Sequence, residues 1–495
     1  MQNLTINPLN GFCGKIICRE GPALVEMIDA PGGDLYAIHL AGTHYEMGRQ
    51  YGTMLGDKIL ECSVLTTAML CEAGLPEDRI RPLVKKTWSR YAKNVPAVYL
   101  QELAGIVDGA AQAGIALTLD MMETLAAIPE LTSYWHMEEM IGQLLSEEEE
   151  EADIKPVWDG KERGPTPIHC SAFMAWGNRC ESSNLYGCRN LDWSSDIGMA
   201  AFKAVTVFHP VDEYGIPCTS SATFGYIGML GSMAGMNAEG IVLSEIGAFN
   251  ARETFDGRPW HYVFREVLDG ANNIDEAAAI FSKGNYLQGY CFVAGWGDPR
   301  RKGTPAHAPK GFSAEVDAEN ISILYDNDPQ ERDAVCVDTN GEVLLFDGEP
   351  VYYGMPLENA IARADIAFSK SVRSGQYADK GPAGENNSGN AKEGRTWREL
   401  YVPITDMIKA FNEGTAFDAP KKEAWHFAAG NPHPMTRDDA LRVCKMAGDN
   451  KDNVMSIFYD ASNLHVGVAF EAGSGESWQS ASQAGYVMLD FAKVF

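Results

Sequence analysis

The chain has 495 residues, 45% of them hydrophobic and 10% aromatic, with 49 Gly and 24 Pro. That is the makeup of a folded globular protein, and it excludes collagen-like repeats and wholesale disorder. Forty Lys and Arg against 68 Asp and Glu leave a net charge of −28, which repels phosphate backbones and anionic lipid surfaces, so nucleic acid is not expected as a partner.

No stretch reaches the roughly 18 consecutive apolar residues of a membrane-spanning helix. Residues Met1 to Gly14 lack a positive segment followed by an apolar one, so a cytoplasmic chain is the expectation. The 11 cysteines are odd in number and none is spaced C-x-x-C. Neither a zinc ribbon nor a regular disulfide framework is indicated, and most read as small buried hydrophobes.

Residues 43–72 read as a helix. Thr43 and Glu46 have the spacing of a capping box, and Gly48, Gly52 and Gly56 recur every fourth residue. Three glycines on one helical stripe, each costing about 1 kcal/mol against alanine, predict a close approach to a neighbouring element. Leu100, Leu103, Ile106 and Val107 continue a 3.6-residue period, and Met121 to Leu131 supply another helical run. Residues 1–145 are therefore expected to be mainly helical.

The composition then changes. Glu138, Glu139, Glu147 to Glu151 and Asp153 are acids with no base among them, followed by Pro156, Gly160, Gly164, Pro165 and Pro167; residues 146–169 read as a solvated linker. Immediately after it come short apolar and alternating runs, Cys170 to Trp176, Leu185 to Cys188, Ala204 to Phe208 and Gly240 to Leu243, which read as strands. Residues 258–283, 357–372 and 397–412 look helical, and 289–297 and 320–326 look like strands. The segment 374–395 carries no apolar period and reads as a mobile excursion. Val454 to Tyr459, Leu464 to Phe470 and Tyr486 to Phe491 return to strands.

Several chemistries lose support at once. There is no G-x-x-x-x-G-K-[ST] loop, no H-E-x-x-H pair and no G-x-S-x-G elbow. His39 with His44, and His426 with His433, do not share a helical face at i,i+4, so no metal site is expected and no cofactor is called for. The dense constellation lies after the acidic linker. Cys170 opens a buried strand where an exposed Pro-rich loop ends, and Tyr186 to Trp193 puts Arg189 and Asp192 at the end of the next strand. A hairpin from Cys170 to Arg189 would return the guanidinium and carboxylate to the cysteine.

A thiol of pKa near 8.5 is only a few per cent thiolate at pH 7, and an adjacent cation favours the ionised form. Were the chain cut before Cys170, the new α-amine, of pKa about 7.7–8, would be a base beside the sulfur. Asp192 could hold that amine and Arg189 could supply the cation. On spacing alone the alternative stays open that Cys170 is one more buried cysteine and that Arg189 and Asp192 form a structural ion pair.

Cys170-Ser-Ala-Phe173 followed by Cys188-Arg-Asn-Leu-Asp-Trp193 resembles the start of the mature chain in the acyl-coenzyme A:6-aminopenicillanic acid acyltransferase group of N-terminal-nucleophile (Ntn) hydrolases, related to the choloylglycine hydrolases. Gly42 to Gly52, Glu102 to Ala110, Gly235 to Gly240 and Asn453 to Asp460 match that group's pattern in order. The resemblance implies an α+β fold, a four-layer αββα sandwich, made as a precursor that cuts itself between His169 and Cys170. It implies Cys170 as nucleophile with its α-amine as base, Asp192 orienting that amine and Arg189 stabilising charge at the thiolate.

A helical pro-segment over 1–145, a processing linker over 146–169 and a catalytic chain over 170–495 would follow. The substrate would be a small-molecule amide or acyl compound cleaved or formed through a Cys170 thioester, and homo-oligomerisation stays open. The family's oxyanion-binding Asn is not placed by the pattern: Asn237 reads as a turn residue, with Asn327 and Asn359 as further candidates. Two other readings remain, a phospholipase-B-like lipid deacylase on the same fold and an arrested, non-catalytic precursor acting as a binding module.

Overall fold

The computed structural model describes residues 9–72, 77–131, 169–193, 195–248, 250–332, 334–335, 343, 345–346, 348–350, 354, 356–376, 404–411 and 433–495. The acidic linker, except for His169, and most of the 374–395 excursion lie outside these residues. In chain order the elements are β1 (Lys15–Glu20), β2 (Ala23–Ile28), β3 (Leu35–Gly42), α1 (His44–Glu72), α2 (Glu77–Tyr91), α3 (Ala97–Gln112) and α4 (Leu119–Leu131). Then come β4 (His169–Ala175), β5 (Tyr186–Asp192), β6 (Lys203–Pro210), β7 (Ser221–Tyr226), β8 (Ala234–Asn237), β9 (Ile241–Gly247), α5 (Trp260–Gly270), α6 (Ile274–Phe281), β10 (Tyr290–Trp296), β11 (Lys310–Val316) and β12 (Ile321–Tyr325). The last are β13 (Ala360–Ala364), α7 (Arg437–Ala447), β14 (Asn453–Asp460), β15 (His465–Phe470) and β16 (Val487–Asp490).

Two sheets carry the fold. One has ten strands in the order β1-β2-β3-β6-β7-β8-β9-β10-β11-β12, the other six in the order β13-β4-β5-β14-β15-β16. Every pairing among these strands is antiparallel except that of β3 with β6. The sheets face each other where β4 and β5 lie over β9, and β4 and β13 over β10. Helices α1, α5 and α6 cover the outer face of the ten-stranded sheet, and α7 covers that of the six-stranded one. The layers are thus α, β, β, α, the four-layer sandwich expected from the sequence.

Strand alternation separates the two cores. Along β4, Cys170, Ala172 and Met174 point into the space between the sheets, while Phe173 and Ala175 pack on the far side, toward α7 and residues 404–411. The same period along β5 sends Leu191 inward and Tyr186 and Cys188 outward.

The glycine stripe does what its spacing predicts. A Cβ on Gly48 would lie 2.1 Å from the Glu102 carbonyl oxygen, and one on Gly52 2.0 Å from that of Ile106; on α3, Gly105 and Gly109 meet the Tyr45 and Arg49 carbonyls in the same way. The backbones of α1 and α3 therefore touch without side chains between them. The capping box is present too: the Thr43 N–H donates to Glu46 Oε2 at 2.8 Å, and the Glu46 N–H to Thr43 Oγ1 at 3.3 Å.

Three expectations of local structure change. Residues 15–42 form strands ahead of the helices; β2 (ALVEMI) is buried along nearly its whole length, so it shows no alternation to read. The stretch 258–283 is two helices, because Asn273 caps the second by accepting from the Asp275 and Glu276 N–H groups. Residues 360–364 are a strand of five buried residues, not helix. Helix α7 has its own Thr436–Asp439 capping box, a signal that the sequence reading passed over. Among the described residues no helix is long and apolar enough to cross a membrane.

Candidate active site

Cys170 is the second residue of β4. It lies opposite Leu191 of β5, two pairs along from Ala172 opposite Arg189. Cys170 and Arg189 are therefore diagonal neighbours on one face of an antiparallel pair, about 7–8 Å apart at Cα and within reach of a long side chain. Both are fully buried. The two strands pair as the expected hairpin, which puts both residues on one face.

The guanidinium does not pair with Asp192. Its Nη2 donates to Glu245 Oε2 at 2.8 Å across the gap between the sheets, both side chains being buried. Its Nε and Nη1 find no hydrogen-bond partner among the described residues. Arg189 thus presents donors without a partner among the described residues in a buried space shared with Cys170, anchored from the opposite sheet by β9.

Asp192 points the other way. The alternation that sends Leu191 inward puts its carboxylate on the outer face, where Oδ2 accepts from Asn450 Nδ2 at 2.8 Å and Oδ1 from Asn453 Nδ2 at 2.9 Å. It still lies close enough to add to the field at the sulfur. The Cys170 N–H goes to a different acid: it donates to Asp365 Oδ1 at 3.0 Å. Asp365 directly follows β13, the strand on the other side of β4 from β5.

The electrostatics favour a neutral thiol in this state. Burial pushes the Cys170 thiol well above its ordinary value; Arg189 pulls it down, and Glu245, Asp365 and Asp192 push it further up. Burial also raises the Glu245 carboxyl, with Arg189 opposing. With Glu245 in place, the cation that the sequence reading assigned to Cys170 is shared with a carboxylate.

Of the amide candidates, Asn237 is a turn residue: its Nδ2 donates to the Leu268 and Ala271 carbonyls, and its Oδ1 accepts from the Glu239 and Ile241 N–H groups. Asn359 bonds through its carbonyl to the Trp176 N–H, six residues along β4 from Cys170 and hence about 20 Å away. Asn327 holds the Arg332 guanidinium. None of the three is brought to Cys170. Glu245 and Asp365 were missed by sequence reading, although each is an acid inside a largely apolar run, Glu245 beside Ser244 and Asp365 two residues after Arg363, a weak signal of a buried polar role.

A family model described as acyl-coenzyme A:6-aminopenicillanic acid acyl-transferase matches residues 180–295. The resemblance to that family is borne out. The matched region runs from just before β5 to β10 and includes Arg189, Asp192 and Glu245; Cys170 and Asp365 lie outside it.

An uncharacterized protein of Archaeoglobus fulgidus is 22% identical over 328 residues, covering 65% of this chain and 50% of that protein. Protein dcd1B of Dictyostelium discoideum is 22% identical over 241 residues, 48% of this chain and 44% of its own length. The chain thus spans about half the length of the curated relatives it matches. Among solved structures, it is similar to a Caenorhabditis elegans N-acylethanolamine-hydrolyzing acid amidase ortholog (12% identity, 59% of this chain, 93% of that one, TM-score 0.32) and to a mutant conjugated bile acid hydrolase from Clostridium perfringens (10%, 65%, 93%, TM-score 0.34).

Proposed function

We propose that the chain is a cysteine Ntn hydrolase or acyltransferase that cuts itself before Cys170 and then acts on small-molecule amides. The observation that carries the proposal is the position of Cys170. It begins a buried strand directly after the linker, its side chain shares the inner face with Arg189, and its backbone nitrogen rests on a carboxylate.

In the first step the Cys170 sulfur attacks the carbonyl carbon of His169. The thiol proton ends on the scissile nitrogen, the C–N bond breaks, and a thioester and a free α-amine remain. Water then releases the His169 carboxylate and restores the thiol. In turnover the α-amine takes the thiol proton as the sulfur attacks a substrate amide. The leaving amine departs with that proton, and the acyl group passes from sulfur to water or to an acceptor amine. Arg189 faces the developing charge with two unused donors, and Asp192 adds a fixed negative field at the same strand end.

Intact mass and N-terminal sequencing test the first step: fragments of 169 and 326 residues are expected, with one beginning at Cys170, and Cys170→Ala is expected to stay one chain of 495 residues. An uncut chain that turns over amides would refute self-processing. Ping-pong kinetics with an added amine separate transferase from hydrolase.

A further inference from the structure

In an antiparallel strand the backbone N–H groups leave alternately to either side. The Cys170 N–H leaves β4 toward β13, away from β5 and therefore away from Asp192. The β4–β13 ladder runs from Ala175 opposite Ala360 to Ser171 opposite Ala364, so the next pair would be Cys170 with residue 365. There the ladder stops. The Ile366 N–H turns back onto the Ala364 carbonyl, and the carboxylate of Asp365, not a backbone carbonyl, takes the Cys170 N–H at 3.0 Å. The acid is fixed from behind: Gln376 Nε2 donates to the Asp365 carbonyl at 3.2 Å, and Gln376 Oε1 accepts the Ala367 N–H at 2.8 Å.

We infer that Asp365 is the positioning residue for the Cys170 nitrogen, both while that nitrogen is the scissile amide and after it has become the α-amine. The inference rests on the self-cleavage proposed above and sharpens it by replacing Asp192 in the role of amine holder. An anion at hydrogen-bond distance favours the protonated nitrogen. It thereby assists departure of the nitrogen when the C–N bond breaks and the thiol proton moves onto it, and afterwards it raises the pKa of the amine. Asp192, tied to Asn450 and Asn453 on the outer face, would act only through its field.

Among the described residues, the titratable groups that feel Asp365 include Cys170 on β4, Glu245 on β9 and Cys291 on β10, with Arg363 two residues back on its own strand. Asp365→Asn keeps the shape and leaves all of them in place, so a shift in pH dependence belongs to the carboxylate.

The test compares the full-length wild type with Asp365→Asn, Asp365→Glu and Asp192→Asn. Two readouts are followed against pH: the rate at which the 326-residue fragment appears, and, on the cut protein, the rate of Cys170 alkylation by iodoacetamide. Asp365→Asn is expected to cut at least tenfold more slowly at pH 7 and to move the acidic limb of alkylation down by about one unit. Asp365→Glu is expected to recover cutting to within tenfold of wild type and to keep the wild-type limb. Asp192→Asn, which only weakens the field at the sulfur, is expected to move the limb by less than half as much as Asp365→Asn.

Wild-type cutting and an unmoved limb in Asp365→Asn would overturn the inference while leaving the self-cleavage proposal standing, as would a shift found only in Asp192→Asn. A wild-type chain that stays uncut and whose Cys170 takes no label would overturn both. A melting temperature within a few degrees of wild type shows that a variant has folded.

Discussion

Glu245→Gln is the perturbation from which the site's electrostatics can be read most directly. Glu245 supplies the carboxylate that Arg189 meets at 2.8 Å, with both groups buried, and two of the guanidinium nitrogens have no partner among the described residues. Removing one member of such a pair leaves a buried cation against a neutral amide, at a cost of about 3–5 kcal/mol. For a chain of this length, an unfolding entropy near 2 cal/mol/K per residue amounts to roughly 1 kcal/mol/K, so the melting temperature should fall by about 3–5 °C.

The same change should act oppositely on Cys170. Glu245 pushes the thiol up and Arg189 pulls it down, so in Glu245→Gln the cation acts unopposed by that carboxylate. Cys170 in the cut protein should then alkylate faster at pH 7, by several-fold, with its apparent pKa moved down. Stability and thiol reactivity are thus expected to change in opposite senses, which a merely loosened core would not produce at Cys170 alone. Loss of stability with slower alkylation, or an unchanged melting temperature, would refute the reading of Arg189 as a cation shared between Glu245 and the sulfur.

Three further outcomes follow from the same structure. Gly52→Ala puts a Cβ 2.0 Å from the Ile106 carbonyl oxygen, so α1 and α3 must part; a loss of about 1–3 kcal/mol by denaturant titration is expected, and an unchanged midpoint would contradict the packing. Glu130, fully buried at the end of α4, has its carboxyl pushed up to about 7 by burial, although Gln288, Tyr290 and the Trp260 N–H all donate to it. Its folded value lies above its unfolded one, so its contribution is fully present below about pH 4.5 and is lost as pH rises through 7, about 3 kcal/mol in all; Glu130→Gln should flatten wild-type stability over that window, and an unaltered pH dependence would count against it. Because burial holds the Cys170 thiol well up, the uncut chain, tested with a cleavage-blocked variant that retains Cys170, should alkylate there far more slowly than the cut protein, measured by peptide mapping; equal rates would mean that the buried strand start does not protect the sulfur.

What could be read in advance was whatever depends on local spacing. The Cys170 and Arg189 strands are consecutive in the chain, so nineteen residues sufficed to predict a hairpin and the meeting of thiol and guanidinium. Face assignment was harder. Arg189 and Asp192 are three apart, an odd number along a strand, so their side chains leave on opposite faces; the period itself argued against both reaching the sulfur, and the carboxylate at the strand end was given the amine instead. The actual partners, Glu245 and Asp365, come from strands 75 and 195 residues beyond Cys170. Nothing local links either to Cys170, and only a carboxylate inside a largely apolar run marks them.

The N-terminal segment has its four helices where the apolar period predicts them, but it opens with three strands that the pattern does not announce, and these bear on what a cut could do. Strand β3 lies inside the ten-stranded sheet, antiparallel to β2 and parallel to β6, with seven residue pairs on the β6 side. Helices α1 and α3 are joined to α5 through Glu102, which takes both Arg265 and His44 at 3.0–3.3 Å; burial works against its charge, yet the Arg265 guanidinium and the hydrogen bond with His44 hold its carboxyl below its ordinary value. The Arg265 guanidinium in turn lies 3.8 Å over the Phe208 ring of β6. A cut between His169 and Cys170 therefore removes no strand from either sheet and breaks none of these contacts. Among the described residues the bond cut would lie at the start of β4, where one peptide nitrogen would become an amine beside Asp365. Activation by such a cut would be a change of one group's chemistry within a fold to which both sides of the cut contribute, the segment ahead of it supplying three strands of the larger sheet and, in α1, part of its helical cover.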